Sequence, residues 1–420
     1  MARRSRPTTD QSADAAPHRI GKPTPLIQHL STALAAVQHA TLAAPLATER
    51  RFPWHSDLRA EAQALPEKPL PPEVAAEGVS RLSELMRGIE AWQRHPYRRP
   101  ADTAAEIWSD GASRLLDFGS RDGAPVLIVP SLINRAYILD LLPGRSLVED
   151  LSNAGYAPLL MDWGTPGAEE RDFGLDDYLQ QRLRPALAIA RALARGPVPV
   201  IGYCMGGTLA TALAARAAKD VSALVTIGTP WDFTHRVWAS AALTQVWGQQ
   251  QGMQARAVLA GLGHSFGAIP SDVFQTLFAS LDPGLAFRKF RRFAKLEPAD
   301  PDAILFTALE DWLNDGPPVP TQAATEILVD WHICNDTCAG RWEALGDTVD
   351  PSAITCPTLA FCAAQDRIAP PGSTTALPRS IAGAQIVRPD AGHVGMIVGR
   401  NRRAHVVDPL LAFLARVAND

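Results

Sequence analysis

The chain has 420 residues, of which 46% are hydrophobic and 20% charged, and a formal net charge of −4 at pH 7. This is the composition of a globular protein with a large core; the charge is too slight to recruit a polyanion, and no Lys/Arg cluster interleaved with aromatics marks a nucleic-acid face. No apolar run reaches the roughly 18 residues of a membrane-spanning helix, so no transmembrane segment is expected. The basic start Met1-Ala-Arg-Arg-Ser-Arg-Pro is followed by Asp10 and Asp14 instead of the apolar core of a signal peptide. Cys204, Cys334, Cys338, Cys356 and Cys362 form an odd, sparse set. That pattern favours a reducing, cytoplasmic setting over a disulfide scaffold. His332, Cys334 and Cys338 lie close together but lack paired Cys-x-x-Cys spacing, and no metal is expected.

In chain order, residues 1–24 are charged, small and Pro-dotted, and read as a disordered tail. Residues 25–103 read as a helical and Pro-rich extension. Leu26–Leu46 has helical apolar spacing and is expected to dock on its own protein, and a second helix is expected over Glu73–His95. A hairpin follows, Ile107-Trp108 and Ser113–Phe118 about a turn at Asp110-Gly111. Pro125-Val-Leu-Ile-Val-Pro is a continuous apolar run of the kind buried on both faces of a parallel sheet. Further strands are expected at Tyr156–Met161, Val198–Tyr203, Ser222–Gly228, Pro357–Ala363 and Ala384–Pro389, with helices at Ser146–Gly155, Asp176–Arg195 and Val406–Val417. The alternation predicts an α/β chain with a doubly wound, mostly parallel sheet. Residues 233–352 break the rhythm and read as an inserted, mainly helical cap, with helices at Ala255–Leu262, Ser271–Ser280 and Ile304–Asp315. The core is then 104–232 with 353–420, in the manner of an α/β-hydrolase.

The stretch that carries chemistry is Gly202-Tyr-Cys-Met-Gly-Gly-Thr, between a β-branched run and an Ala/Leu-rich helix. Strand, tight turn and helix around a glycine-flanked Cys204 match a nucleophile elbow with cysteine in the place of serine. The turn presents the sulfur at the strand's carboxyl end, and the Met205 backbone N–H at the helix start is a candidate oxyanion donor. A thiol nucleophile needs a base and a group to orient that base. Asp366 follows the Pro357 strand and His393 follows the Ala384 strand, both at strand ends and in the order nucleophile, acid, histidine. Cys204, Asp366 and His393 are therefore the expected catalytic triad.

The same box resembles that of the polyhydroxyalkanoate synthases. Val129-Pro-Ser-Leu-Ile-Asn-Arg-Ala-Tyr, Met161-Asp-Trp-Gly-Thr-Pro-Gly, Gly174-Leu-Asp-Asp-Tyr, Thr229-Pro-Trp-Asp-Phe and Glu310-Asp-Trp-Leu-Asn-Asp are similar again, over roughly Ala104 to Leu414. The resemblance implies an acyltransferase of α/β-hydrolase fold that joins 3-hydroxyacyl groups from coenzyme A thioesters into a polyester. Cys204 would carry the chain as a thioester, His393 would be the base, and Asp366 would orient it or help activate the incoming hydroxyl. A second oxyanion donor would come from the loop Ser131–Asn134, at Leu132. No cofactor is implied, since coenzyme A enters as substrate. The partners implied are the polyester chain or its granule, at whose surface the protein would work, and a second synthase subunit or a homodimer. Two departures flank the acid: Arg367 stands where many synthases have His, and Pro370-Pro371 replaces an aromatic. A cysteine esterase, thioesterase or polyester depolymerase of the same fold is the alternative, and a catalytically silent granule-associated partner is the second alternative.

Overall fold

The computed structural model describes residues 21–42, 72–101, 104–119, 123–235 and 251–418. The expected disordered tail, apart from 21–24, and the Pro-rich connector before Pro72 lie outside the described residues. Helices span Leu26–Leu42 and Pro72–Arg94.

The strands are β1 (Ala105–Asp110), β2 (Ser113–Asp117), β3 (Ala124–Val129), β4 (Asp140–Leu142), β5 (Arg145–Ser146), β6 (Tyr156–Asp162), β7 (Val198–Tyr203), β8 (Val221–Ile227), β9 (Glu343–Ala344), β10 (Asp347–Thr348), β11 (Thr358–Phe361) and β12 (Gln385–Val387). Eight of them form one sheet in the order β1-β2-β6-β3-β7-β8-β11-β12. The hairpin β1/β2 and its junction with β6 are antiparallel, and every other pairing in this sheet is parallel. The expected α/β architecture with a mostly parallel sheet is what the chain adopts. The apolar runs explain it: Val126, Leu127, Ile128 and Val129, with Val200 and Ile201, are fully buried, which places β3 and β7 in the middle of the sheet under helices on both faces. The ladder Val129↔Gly202 and Gly202↔Thr226 then brings the ends of β3, β7 and β8 to one edge.

Arg182 holds the antiparallel end of the sheet. It is fully buried, and its guanidinium donates to Asp110 Oδ2 (2.6 Å), Glu169 Oε1 (2.8 Å) and Glu170 Oε1 (3.1 Å). Glu170 also accepts from the backbone N–H of Ala112 at the hairpin turn (2.8 Å) and of Gly167 (2.9 Å). These bonds depress its carboxyl pKa in spite of burial, which acts the other way.

The chain divides into two units. The larger carries the sheet and spans Arg99–Leu285 and Ala308–Asp420, with Thr24–Thr32. The smaller combines Ala33–Arg98 with Ala286–Thr307, the latter drawn from the stretch where the sequence suggested a cap. Within it Trp92 meets Phe290 edge-on (6.2 Å), Phe293 stacks on Phe306 (4.3 Å), and Arg291 Nε donates to Glu84 (2.7 Å). Gly88 is required there, since a Cβ would fall 2.0 Å from the Phe290 carbonyl oxygen. In the larger unit, helices Gln251–Phe266 and Ser271–Ser280 and a helical stretch from Thr321 to Trp331 accompany an aromatic cluster of Trp231, Phe233, Trp331 and Trp342.

Candidate active site

Cys204 sits between β7 and the helix Met205–Arg216 with φ 55° and ψ −129°. A non-glycine residue held in this sparsely populated region stores of order 1–3 kcal/mol and persists only where its surroundings fix it. Here the Cys204 N–H donates to Ile227 O (2.9 Å) and the Cys204 carbonyl accepts from Gly207 N–H (2.9 Å). The glycines around it answer to close approach. A Cβ on Gly202 would lie 2.3 Å from Gly207 Cα, one on Gly206 would lie 2.2 Å from Val129 O, and one on Gly207 would lie 1.8 Å from Thr229 Oγ1. The elbow helix is thereby pressed against both neighbouring strand ends, with the sulfur at its start.

Asp366 and His393 arrive from the ends of β11 and β12. His393 Nδ1 donates to Asp366 Oδ2 at 2.6 Å, and both side chains are buried. The other carboxylate oxygen, Oδ1, accepts from the backbone N–H groups of Ile368 and Ala369, each at 2.8 Å. Three bonds thus fix the carboxylate, and the carboxylate fixes the ring. Since Asp366 occupies Nδ1, the ring's remaining nitrogen, Nε2, is the one left for Cys204. Burial alone would lower the His393 pKa. The Asp366 charge, the Cys204 charge and the hydrogen bonds to both side chains outweigh it and hold His393 well above the ordinary histidine value. The arrangement sets an oriented proton acceptor beside the Cys204 sulfur, which is what a thiol nucleophile needs.

A cavity of about 60 Å³ opens beside the sulfur, lined by Pro130, Ser131, Tyr203, Cys204, His393 and Val394 together with Asn134, Arg135 and apolar residues of neighbouring segments. Met205 and Leu132, the expected oxyanion donors, are buried next to this cavity's lining residues in sequence but do not line it themselves. Met205 opens the elbow helix, which aims its free N–H end toward the sulfur. Leu132 lies in a loop that is firmly held. Trp163 Nε1 donates to Pro130 O (3.1 Å), Trp312 Nε1 donates to Arg135 O (2.9 Å), and Ser131 Oγ accepts from Ile133 N–H (3.3 Å).

Four residues that the sequence reading did not single out position the triad. Gly228, at φ 59° after β8, leaves room for the histidine: a Cβ there would lie 3.0 Å from His393 Cε1 and 3.1 Å from Nδ1. The Tyr203 ring packs 5.2 Å from the His393 ring, and its buried hydroxyl has no hydrogen-bond partner. Burial raises the Tyr203 pKa well above the ordinary phenol value, aided by the Cys204 and Asp366 charges. Arg145 Nη1 donates to Val398 O (2.9 Å) and Gly399 O (2.7 Å), and Arg402 Nη2 donates to Ser146 O (3.0 Å). These two arginines tie the segment after His393 to the β4/β5 hairpin. Gly228 and Tyr203 had local signals, the strand end Gly228-Thr229-Pro230 and the box around Cys204. The arginines act across about 250 positions of sequence. Cys334 and Cys338 are exposed, and among the described residues no group of three or more His, Cys, Asp or Glu side chains is placed to hold a metal ion. No helix among the described residues is long and apolar enough to cross a membrane.

An elbow at the end of a central parallel strand, with acid and histidine following the last two strands on that side of the sheet, β11 and β12, defines a class. The family described as "alpha/beta hydrolase fold" matches residues 124–400, more than half of the chain, and the chain belongs to it. Its curated relatives narrow the kinship. It is 29% identical over 288 residues to the poly(3-hydroxyalkanoate) polymerase subunit PhaC of Haloarcula marismortui, covering 68% of this chain and 59% of that one. It is 28% identical over 309 residues to the subunit of the same name from Haloferax mediterranei, covering 71% and 60%. Against that of Allochromatium vinosum it is 29% identical over 312 residues, covering 71% and 84%. The match thus spans about 60% of the length of the two haloarchaeal relatives. The resemblance to the polyhydroxyalkanoate synthases read from the motifs is borne out as kinship.

Proposed function

We propose that this chain is a cysteine-dependent acyltransferase that takes 3-hydroxyacyl groups from coenzyme A thioesters and joins them into a polyester. The observation that carries the proposal is the buried pair His393 Nδ1 to Asp366 Oδ2, 2.6 Å, beside a cysteine held at φ 55° on the elbow. Kinship with polymerase subunits supplies the substrate class.

In the loading step the Cys204 thiolate attacks the thioester carbonyl and a C–Sγ bond forms. The bond from carbonyl carbon to coenzyme A sulfur breaks, and coenzyme A leaves as a thiol with the proton from His393. The N–H of Met205 and that of Leu132 serve the oxyanion. One thioester replaces another, so the step is nearly balanced in energy. In the elongation step neutral His393, oriented by Asp366, takes the proton of an incoming hydroxyl as that oxygen attacks the Cys204 thioester; an ester forms and the thiolate returns. Cysteine suits this cycle because a thioester stays reactive toward the next hydroxyl. No cofactor takes part, and coenzyme A is spent as the leaving group. The polyester chain or granule is the partner on this reading, and a second synthase subunit or a homodimer supplies any assembly.

The test is incubation of purified protein with 3-hydroxybutyryl-coenzyme A, following free thiol and turbidity together. Thiol release with polymer is expected. Thiol release with free 3-hydroxy acid alone would assign a thioesterase, and neither signal would assign a silent scaffold. Cys204→Ser keeps the fold, because serine fits the same turn, and loses most transfer, because His393 deprotonates a hydroxyl less readily.

A further inference from the structure

A second cavity, of about 170 Å³, borders the segment that carries the catalytic histidine and shares no lining residue with the cavity beside Cys204. His393 and Val394 stand in the wall of the first cavity, whereas Gly392 and Gly395, on either side of them in the chain, stand in the wall of the second. The segment is thus a partition between the two. Asp390, Arg400, Arg402 and His405 belong to the second wall as well.

Two nitrogens of that wall lack partners. Arg402 is only 5% exposed, and the far end of its guanidinium is taken up: Nη2 donates to Asp150 Oδ2 and to Ser146 O (3.0 Å). Its Nε–H is buried and meets no acceptor among the described residues. His405, on the helical segment Arg403–Val407, has a buried Nδ1 that is likewise without a partner there. Buried polar groups are nearly always hydrogen-bonded, and a guanidinium N–H can only donate, so the Arg402 nitrogen requires an oxygen lone pair. The imidazole nitrogen can donate to the same group of oxygens.

Charge and size agree with an oxyanion. Arg400 adds a second guanidinium to the wall, while the Asp390 carboxylate is exposed and already accepts from Gln365 Nε2 (2.6 Å). Arginine N–H groups bind phosphate through short, charge-assisted hydrogen bonds. A void of roughly 150 Å³ holds a benzene ring, so a cavity of about 170 Å³ admits phosphate, which has fewer heavy atoms. The glycines leave that room open: a Cβ on Gly392 would meet nothing closer than 3.8 Å and one on Gly395 nothing closer than 3.7 Å.

We propose that this second cavity binds a phosphate group, held by Arg402 Nε, His405 and Arg400 against the segment that carries His393. The site is separate from the acyl-transfer chemistry, and its occupancy is read without turnover.

The experiment is isothermal titration calorimetry of inorganic phosphate into the full chain at pH 7, with chloride withdrawn so that ionic strength stays fixed. The wild type is expected to bind with a Kd on the order of 1 mM or below, within reach of two or three charge-assisted hydrogen bonds. His405→Leu and Arg400→Gln are each expected to weaken binding by about tenfold, the worth of one hydrogen bond to a charged group. Arg402→Lys keeps the charge but loses Nε and is expected to weaken binding at least as much; circular dichroism checks that each variant is folded. Methyl phosphate separates the two sources of the group: affinity equal to that of the inorganic ion assigns the site to a phosphate monoester, and affinity lower by about tenfold assigns it to the free ion. An absence of saturable binding below about 10 mM, the result for a cavity that holds water only, overturns the proposal. Undiminished binding by folded His405→Leu and Arg400→Gln puts the phosphate elsewhere and overturns it too. Neither result bears on the acyltransferase reading, which stands or falls with coenzyme A release.

Discussion

Gly228→Ala isolates the contact between the β8 end and the catalytic histidine. The backbone there has φ 59°, where an L side chain costs roughly 1–2 kcal/mol. The added Cβ would also lie 2.8 Å from Met396 Cε, 3.0 Å from His393 Cε1 and 3.1 Å from His393 Nδ1. The methionine end can yield, but the ring is held by its 2.6 Å bond to Asp366 and must shift by some tenths of an ångström. Overpacking of this kind adds roughly 1–3 kcal/mol. The total loss expected is about 2–5 kcal/mol, with a fall in kcat of about a hundredfold from misplacement of the base. Gly383→Ala is the control. Its φ is 72° and no heavy atom lies within 4 Å of the added Cβ, so it bears the strain alone. Urea unfolding and coenzyme A release would be measured on both variants. If Gly228→Ala loses no more stability and no more activity than Gly383→Ala, the packing of Gly228 against His393 does not position the base.

Other outcomes follow from the same structure. Tyr203→Phe removes a buried hydroxyl that has no partner and is expected to raise unfolding stability by about 1 kcal/mol; destabilisation of that size would show that the hydroxyl is satisfied. Arg182→Met leaves Glu170 buried without its cation and is expected to cost about 3–5 kcal/mol in urea unfolding; a change below 1 kcal/mol would refute the arginine's role in holding the hairpin. His393 has a raised pKa when folded, so its contribution to stability is fully present below the ordinary histidine value and is lost as pH rises through the raised one. Denaturation midpoints measured from pH 6 upward should fall in the wild type and fall less in His393→Gln; parallel curves would contradict a raised value.

Much of the architecture was legible because parallel strands and their connecting helices write themselves in continuous apolar runs and helical spacing. The triad was legible for a related reason. In this fold function sits at strand ends, so Cys204, Asp366 and His393 could be placed by locating β7, β11 and β12. Where charge or proline dominates the local pattern, reading failed. Leu285–Phe293 is a helix despite Arg288-Lys289 and Arg291-Arg292, since its phenylalanines at 290 and 293 are buried within the smaller unit. Pro370-Pro371 departs from the aromatic of the family pattern, and the sequence does not show what the two prolines do there. In the structure Pro371 is the first residue of the helix Pro371–Arg379, a position that needs no N–H. The β4/β5 hairpin and the arginines that tie the segment after His393 to it depend on contacts distant in sequence, for which no local pattern exists.

The claim most exposed to a single measurement is that Cys204 carries the acyl group. Wild-type protein mixed with 3-hydroxybutyryl-coenzyme A and quenched in acid within seconds should show, by intact mass and peptide mapping, a 3-hydroxybutyryl or longer oligomeric adduct on Cys204. Cys204→Ala should show none. An adduct on another residue, or polymer formed by Cys204→Ala, would contradict the account.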